Sequence, residues 1–261
     1  MDVVTKEVGN LSDRYAKDGV VRIKGALTPY WLNRLRKAVD EELKRGERYF
    51  AYRNMRMQQG IFRDFCMKSG IGRLVADLGR SDWTSLIFDQ MFVKEPGTRT
   101  RTGWHTDQPY WPIDGSIMTT WIALDEVDED NGALEFIPGS HAWGMKYRPF
   151  ITDQKGAFLE YLCRDDPQYC DMPDFEAERC KHTIVHWNLE PGDLLAFDGF
   201  IVHSAMGNRT STRRRRGYAI RFALDRARYD PDQGVAEWLS DKSLAKGAPV
   251  RSDFFPVVFS C

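Results

Sequence analysis

The chain has 261 residues, 42% of them hydrophobic, a formal net charge of −1 and five cysteines. That length carries one large domain with a substantial core or, as the lesser alternative, two small ones, and near-neutrality gives no global attraction to nucleic acid or to an anionic membrane. No run reaches the roughly 18 apolar residues of a membrane span. No secretory hydrophobic region opens the chain, because Asp2, Lys6 and Glu7 interrupt its first ten residues. The odd cysteine count without a Cys-x-x-Cys pair suits a soluble protein of a reducing cytoplasm.

In chain order, the N-terminal part (about 1–82) reads as mostly helical. Residues 19–23 form a short strand. Thr28-Pro29 then opens a helix, with Thr as N-cap and Pro at the first helical position. Trp31, Leu32, Leu35, Ala38, Val39 and Leu43 follow at helical spacing. A second helix is expected over about 61–78, with Gly70 and Gly72 as an interruption.

From Trp83 the texture changes to short β-branched and aromatic runs between Gly, Pro and Asp/Asn clusters: 85–93, 118–124, 133–137, 183–187, 193–197 and 217–224. Such punctuation predicts an antiparallel sandwich or barrel over about 83–224. A charged insertion at about 147–181 reads as partly helical. The tail, 225–261, holds a short helix around 234–244 and an apolar end at 254–259. There is no internal repeat, and a single domain over 1–261 is expected.

Chemistry concentrates at Trp104-His105-Thr106-Asp107 and at His203. In a strand, residues i and i+2 share a face, so His105 and Asp107 can aim at one point. Two imidazoles and a carboxylate form a facial triad that leaves positions open on Fe(II). His182 and His186, four residues apart, lack the His-Glu-x-x-His pattern of a zinc helix and sit in strand-like text, which favours a structural role. His141, within Pro138-Gly139-Ser140-His141, reads as a turn anchor. The four consecutive arginines at 213–216 read as one buried side chain among solvated charges at a strand start, not as a nucleic-acid surface.

With these residues in view, the chain resembles the phytanoyl-CoA dioxygenase family of 2-oxoglutarate oxygenases. The matching text is Gly103-Trp104-His105-Thr106-Asp107-Gln108-Pro109-Tyr110-Trp111-Pro112, Trp121-Ile122-Ala123-Leu124-Asp125, Asn131-Gly132-Ala133-Leu134 and Pro138-Gly139-Ser140-His141. Pro191-Gly192-Asp193-Leu194-Leu195-Ala196-Phe197 and His203-Ser204 follow, and Tyr15-Ala16-Lys17-Asp18-Gly19-Val20-Val21 is similar to that family's opening.

The resemblance covers nearly the whole chain. It implies a mainly β fold with flanking helices: a double-stranded β-helix, the cupin-like jelly-roll barrel, with iron near one open end. It implies Fe(II), 2-oxoglutarate and O2 as cofactor and co-substrates, and His105, Asp107 and His203 as metal ligands and catalytic residues. Met91 and Trp121 are implied to line the 2-oxoglutarate site. An arginine eleven or twelve residues after the distal histidine is implied to clamp the far carboxylate, which points to Arg214 or Arg215. Arg215 shares a strand face with Gly217 and Ala219, whose small side chains would leave room for a ligand, and is preferred.

Related halogenases carry a small residue at the position of Asp107, so this carboxylate implies hydroxylation, or desaturation or cyclisation. The family often has a hydroxyl two residues after the distal histidine; here that residue is Ala205, with Ser204 one place earlier.

The expected reaction oxidises a C–H bond of a small organic molecule, such as a natural-product or metabolite intermediate, with release of succinate and CO2. Tyr110, Trp111 and Trp187 are the leading candidates to face substrate, with Trp143, Tyr147 and Phe150 behind them. Arg148 or Lys146 could meet a substrate carboxylate, although solvated loop charges are the simpler reading. The competing readings are a catalytically silent jelly-roll ligand-binding protein and a cupin-type metalloenzyme independent of 2-oxoglutarate. Oligomeric state is left open.

Overall fold

Apolar helical spacing over the first eighty residues becomes helices on one side of a sheet. The structure, a computed structural model, describes residues 8–45, 51–54, 56, 60–153, 156–235 and 239–261. Helix α1 (Val8–Asp18) leads into β1 (Val20–Ile23). Helix α2 (Pro29–Arg45) starts at the expected proline and buries Trp31, Leu35, Ala38 and Val39. Thr28 departs from its expected capping role. Its carbonyl accepts the first helical bond from the Leu32 amide at 3.1 Å, but its buried hydroxyl has no partner among the described residues. After β2 (Ala51–Arg53), the expected interruption divides the next helical stretch into α3 (Gly60–Lys68) and α4 (Ile71–Gly79). Gly70 stands between them at φ 83°, a conformation that costs glycine little and other residues much.

The strands that follow are β3 (Trp83–Lys94), β4 (Thr102–His105), β5 (Ile113–Asp114), β6 (Ile117–Ala123) and β7 (Leu134–Phe136). Then come β8 (Phe150–Thr152), β9 (Phe158–Tyr161), β10 (Leu194–Asp198), β11 (His203–Ala205), β12 (Arg215–Leu224), β13 (Arg228–Tyr229) and β14 (Val257–Ser260).

The larger antiparallel sheet runs β1-β10-β6-β12-β3-β14, with β2 also paired to β3; the smaller one is β4-β11-β7. Val20, Trp121, Leu195, Phe197 and Ala219 of the larger sheet meet Leu134, Phe136 and Ala205 of the smaller one in a shared core. This is the double-stranded β-helix that the motifs implied. The other face of the large sheet, including Met91, Ile122, Tyr218, Ile220 and Phe222, packs on Trp31, Leu35, Phe62, Phe65, Leu74 and Leu78 of the helices. The central strands β6 and β12 are therefore buried on both faces, which explains their nearly continuous apolar texture.

Two further expectations change. The insertion at 147–181 is not substantially helical: it holds the antiparallel β8–β9 ribbon, turns and a single 3-10 turn at Arg179–Lys181. Residues 183–187 contribute one bridge, Val185 to Phe136, not a full strand. The helix expected at 234–244 falls partly outside the described residues; of those described, Leu239 is 3-10 helical and 242–243 form a turn. The apolar end does find a place, as β14 on β3. No helix among the described residues is long and apolar enough to cross a membrane.

Candidate metal centre and active-site pockets

Strand pairing brings the two distant histidines together. β11 lies antiparallel beside β4 with His203 opposite His105, and the imidazole centroids are 4.1 Å apart. Asp107 follows β4 at the start of the Gln108–Tyr110 turn. Its Oδ1 lies 3.7 Å from His105 Nε2 and 3.9 Å from His203 Nε2. One ligand atom from each residue can thus be chosen with all three within 4.8 Å of one another.

The free atoms are selected by hydrogen bonds behind them. His105 Nδ1 lies 2.9 Å from the Gly103 carbonyl and His203 Nδ1 lies 3.0 Å from the Ile201 carbonyl. As donors in those bonds, both rings keep an Nε2 lone pair for an ion. Asp107 Oδ2 accepts from Thr119 Oγ1 at 2.8 Å and from Arg221 Nε at 3.2 Å, which leaves Oδ1 facing the histidines.

Electrostatics agree with cation binding. Burial pushes His203 down to about 3, aided by neighbouring His105, and burial also lowers His105, so both rings are neutral near pH 7. Burial alone would raise the Asp107 carboxyl. Arg221 and the two imidazoles outweigh it and hold the group below its ordinary range. Two neutral nitrogens and one ionised oxygen, backed on one side and open on the other, suit Fe(II) with positions to spare.

Two cavities meet at this cluster. One, of about 60 Å³, is bordered by Phe92, Trp121, Leu134, Phe197, His203 and Arg215, among others. Arg215 is fully buried, and no described residue accepts a hydrogen bond from its guanidinium; Nε in particular is a buried orphan. Burial lowers its pKa to about 10, still charged at neutral pH. The Trp121 ring centroid lies 5.3 Å from its Cζ.

A buried, unspent guanidinium asks for an anion. Arg214 cannot supply that charge, because its Nε is bound to Glu95 at 2.9 Å on the protein surface. Arg213 pairs with Asp128, and Arg216 with Asp125 and Asp40. The arginine run thus resolves into three paired side chains and one that faces the cavity.

Met91 does not join this cavity. It lies opposite Tyr218 on the helix-facing side of the sheet, because strand alternation sends its neighbours Gln90 and Phe92 inward instead. Nor does Gly217 leave open room, as its small size suggested: the Trp121 indole fills the space where a Cβ would sit. Ser204 points away, its hydroxyl donating to Glu135 at 3.2 Å.

The second cavity, about 210 Å³, opens on the other side of His105 and Asp107. Phe88, Phe92, Tyr110, Trp111 and Phe150 form most of its walls, with Gln90 and Arg221 as polar members. Tyr110 and Trp111 therefore stand where expected. The Tyr110 hydroxyl is committed: it donates to the Phe150 carbonyl at 2.6 Å and accepts from the Phe150 amide at 3.0 Å, tying the β8–β9 ribbon over the pocket.

Trp187 is elsewhere. It packs beside Phe136 and borders a groove against α1 residues Arg14 and Asp18, because 183–187 runs along the outside of the small sheet. Of the secondary candidates, Phe150 lines the pocket. Trp143 and Tyr147 pack around Phe175, Arg148 pairs with Asp171, and Lys146 donates to Gln233. His182 lies near Glu178 and His186 near Glu129, so they do not converge. His141 contacts the Ala16 carbonyl, as a turn anchor should.

Several residues of the site went unread in the sequence: Arg221, Thr119, Gln90, Phe92, Thr102 and the buried Glu135. The signal for Arg221 was available. Stepping by two from Arg215 through Gly217 and Ala219 reaches Arg221 on the same inward face.

A jelly roll holding two histidines and a carboxylate at its open end, beside a buried arginine, is the architecture of the non-haem iron, 2-oxoglutarate-dependent oxygenases. Residues 15–217 match the family model of phytanoyl-CoA dioxygenase (PhyH). The chain belongs to that family.

A probable phytanoyl-CoA dioxygenase of Caenorhabditis elegans is 21% identical over 226 residues, 75% of this chain and 69% of that protein. The phytanoyl-CoA dioxygenase of Arabidopsis thaliana is 28% identical over 162 residues, 61% of this chain and 51% of that protein. The chain thus spans between half and about two-thirds of these two relatives' lengths. Among solved structures, the non-heme alpha ketoglutarate dependent epimerase SnoN from nogalamycin biosynthesis aligns with a TM-score of 0.75 and 23% identity, over 97% of this chain and 98% of that one. That likeness establishes the fold. SnoN has also been crystallised with Fe3+, alpha ketoglutarate and nogalamycin RO.

Proposed function

We propose that this protein is an Fe(II)- and 2-oxoglutarate-dependent oxygenase that oxidises an unactivated C–H bond of a small organic molecule, a natural-product or metabolite intermediate, and releases succinate and CO2. One observation carries the reading: three ligand atoms converge where two cavities meet, and the narrower cavity holds a buried arginine with no acceptor among the described residues. His105 Nε2, His203 Nε2 and Asp107 Oδ1 would hold the iron. Bound Fe(II) supplies the oxygen chemistry that couples decarboxylation of the keto acid to substrate oxidation.

The chain's own residues do the rest. Arg215 takes the distal carboxylate of 2-oxoglutarate through parallel hydrogen bonds, and Trp121 fixes the guanidinium plane. Thr119 and Arg221 hold Asp107 so that one oxygen faces the ion. The aromatic walls of the larger cavity orient the substrate and exclude water, with the β8–β9 ribbon above them. We take the helices, barrel and tail (1–261) as one catalytic domain, supported by a core shared between helices and sheet. A reducing cytoplasm suits its free cysteines and a ferrous ion.

The test is succinate released from 2-oxoglutarate in the presence of Fe(II), together with Mn(II) affinity as a readout independent of turnover. Both fall to background in His105→Ala and His203→Ala. Turnover at the wild-type rate in either variant would overturn the assignment.

A further inference from the structure

Arg221 does more in this site than steady Asp107. It lies on β12, almost fully buried, and borders both cavities. Nε donates to Asp107 Oδ2 at 3.2 Å and Nη1 to Gln90 Oε1 at 2.8 Å. Its Cζ is 5.7 Å from the Trp111 ring and 5.9 Å from the Phe92 ring, so the guanidinium is fixed between aromatic walls. Nη2 has no acceptor among the described residues.

The remaining charge on the larger cavity is sparse. Among the described residues, its ionisable lining is His105, Asp107, Tyr110 and Arg221. Asp107 Oδ2 is occupied by Thr119 and Arg221, and Oδ1 faces the histidines. The Tyr110 hydroxyl is occupied by the Phe150 backbone. No carboxylate in the described lining is left for an ammonium group, while one buried cation keeps unused N–H donors. Around it stand the flat faces of Phe88, Phe92, Trp111 and Phe150, continued outward by Phe158 and Tyr161, whose rings pack on Phe150 at 5.7 and 6.4 Å.

We infer that Arg221 is the specificity-determining residue of the larger cavity, and that the substrate is a flat apolar molecule carrying an anionic oxygen that Nη2 receives beside the metal site. The inference deepens the oxygenase reading and rests on it. An N–H donor of a buried guanidinium left without an acceptor is costly, and a guanidinium already fixed by Asp107 and Gln90 takes an anionic oxygen at little further ordering cost. A substrate with an ammonium group at that position meets a like charge and no uncommitted carboxylate among the described lining residues, so amine-bearing molecules are rejected. Because Nε is tied to Asp107, the group that reads the substrate also holds the metal-binding carboxylate.

The test compares three shape-matched probes, 2-naphthoate, 2-naphthylmethanol and 2-naphthylmethylamine, titrated against the whole protein by calorimetry and tryptophan quenching. Each titration is run metal-free and again with Mn(II) and saturating 2-oxoglutarate, which fills the Arg215 cavity. Wild-type protein binds 2-naphthoate at least tenfold more tightly than either other probe in both conditions, and added 2-oxoglutarate does not displace it. Arg221→Gln, which keeps an amide donor for Asp107, reduces the preference to threefold or less; Arg221→Lys retains a preference for the carboxylate over the amine.

Equal binding of the amine, no carboxylate binding, or displacement of naphthoate by 2-oxoglutarate would each overturn the inference. Failure of Mn(II) and 2-oxoglutarate themselves to bind would instead sink the oxygenase reading, while the metal-free selectivity still judges Arg221.

Discussion

In Gly217→Ala the added methyl would fall inside the Trp121 indole, closer to Cζ2 and Cε2 than van der Waals contact allows and 2.8 Å from Cη2. Carbon atoms settle about 3.5–4.0 Å apart, so Cη2 alone must retreat by at least about 0.7 Å. Backbone pairing holds Trp121 on both sides, to Ala219 of β12 and to Leu195 of β10. The open space beside the ring is the cavity of about 60 Å³ that it shares with Arg215.

Overpacking of this kind costs about 1–3 kcal/mol of stability, which in a protein of this size lowers Tm by several degrees. The larger effect falls on the ligand. An indole pushed toward Arg215 disturbs at least one charged hydrogen bond worth about 1.5–3 kcal/mol, which weakens 2-oxoglutarate binding roughly ten- to a hundredfold. Mn(II) affinity, set by His105, Asp107 and His203, changes little. Calorimetric titration of Mn(II) and then 2-oxoglutarate separates the two. A variant with lowered Tm and an unchanged 2-oxoglutarate Kd would show that Trp121 does not wall the keto-acid site.

Two further perturbations address other parts of the molecule. Arg215→Leu removes two charged hydrogen bonds to the co-substrate and raises the 2-oxoglutarate requirement by about a hundredfold or more, whereas Arg214→Leu loses a surface pair with Glu95 and changes it less than about threefold; the reverse ranking in a succinate-release assay would show the register to be wrong. Asp89 lies on β3 between the sheet and the helices, and burial raises its pKa to about 6 despite hydrogen bonds from Tyr218 and the Arg56 amide. The folded state therefore holds this proton more tightly than the unfolded state, whose carboxyl titrates near 3.8. Asp89 accordingly removes up to roughly 3 kcal/mol of stability as pH rises through the window from about 4 to about 6. Denaturation midpoints followed across that window fall relative to those of Asp89→Asn; parallel profiles for the two proteins would refute the assignment.

Much of this site could be read along the chain. Alternation put His105 and Asp107 on one face, and the order of motifs around them implied both the barrel and the distal His203. The same step of two chose Arg215 over Arg214. It places Arg221 inward with Arg215, and it sends Met91 outward when Gln90 and Phe92 point in. Trp187 was misplaced because a strand-like run was taken for a barrel strand, although it forms a single bridge. The insertion at 147–181 had no periodicity to follow, and its ribbon is held partly by Tyr110, forty residues away.

The sequence by itself singled out the three side chains that converge, the alternation of the strands and the helices that cover one face, because these depend on local periodicity and on spacing within a strand. Tertiary structure decided which atoms remain free. The pairing of β4 with β11 brings the imidazoles together, backbone carbonyls choose the nitrogen that each leaves exposed, and neighbouring carboxylates occupy three arginines of four while the last has no acceptor among the described residues. Such outcomes depend on distances between segments far apart in the chain, and no local pattern encodes them.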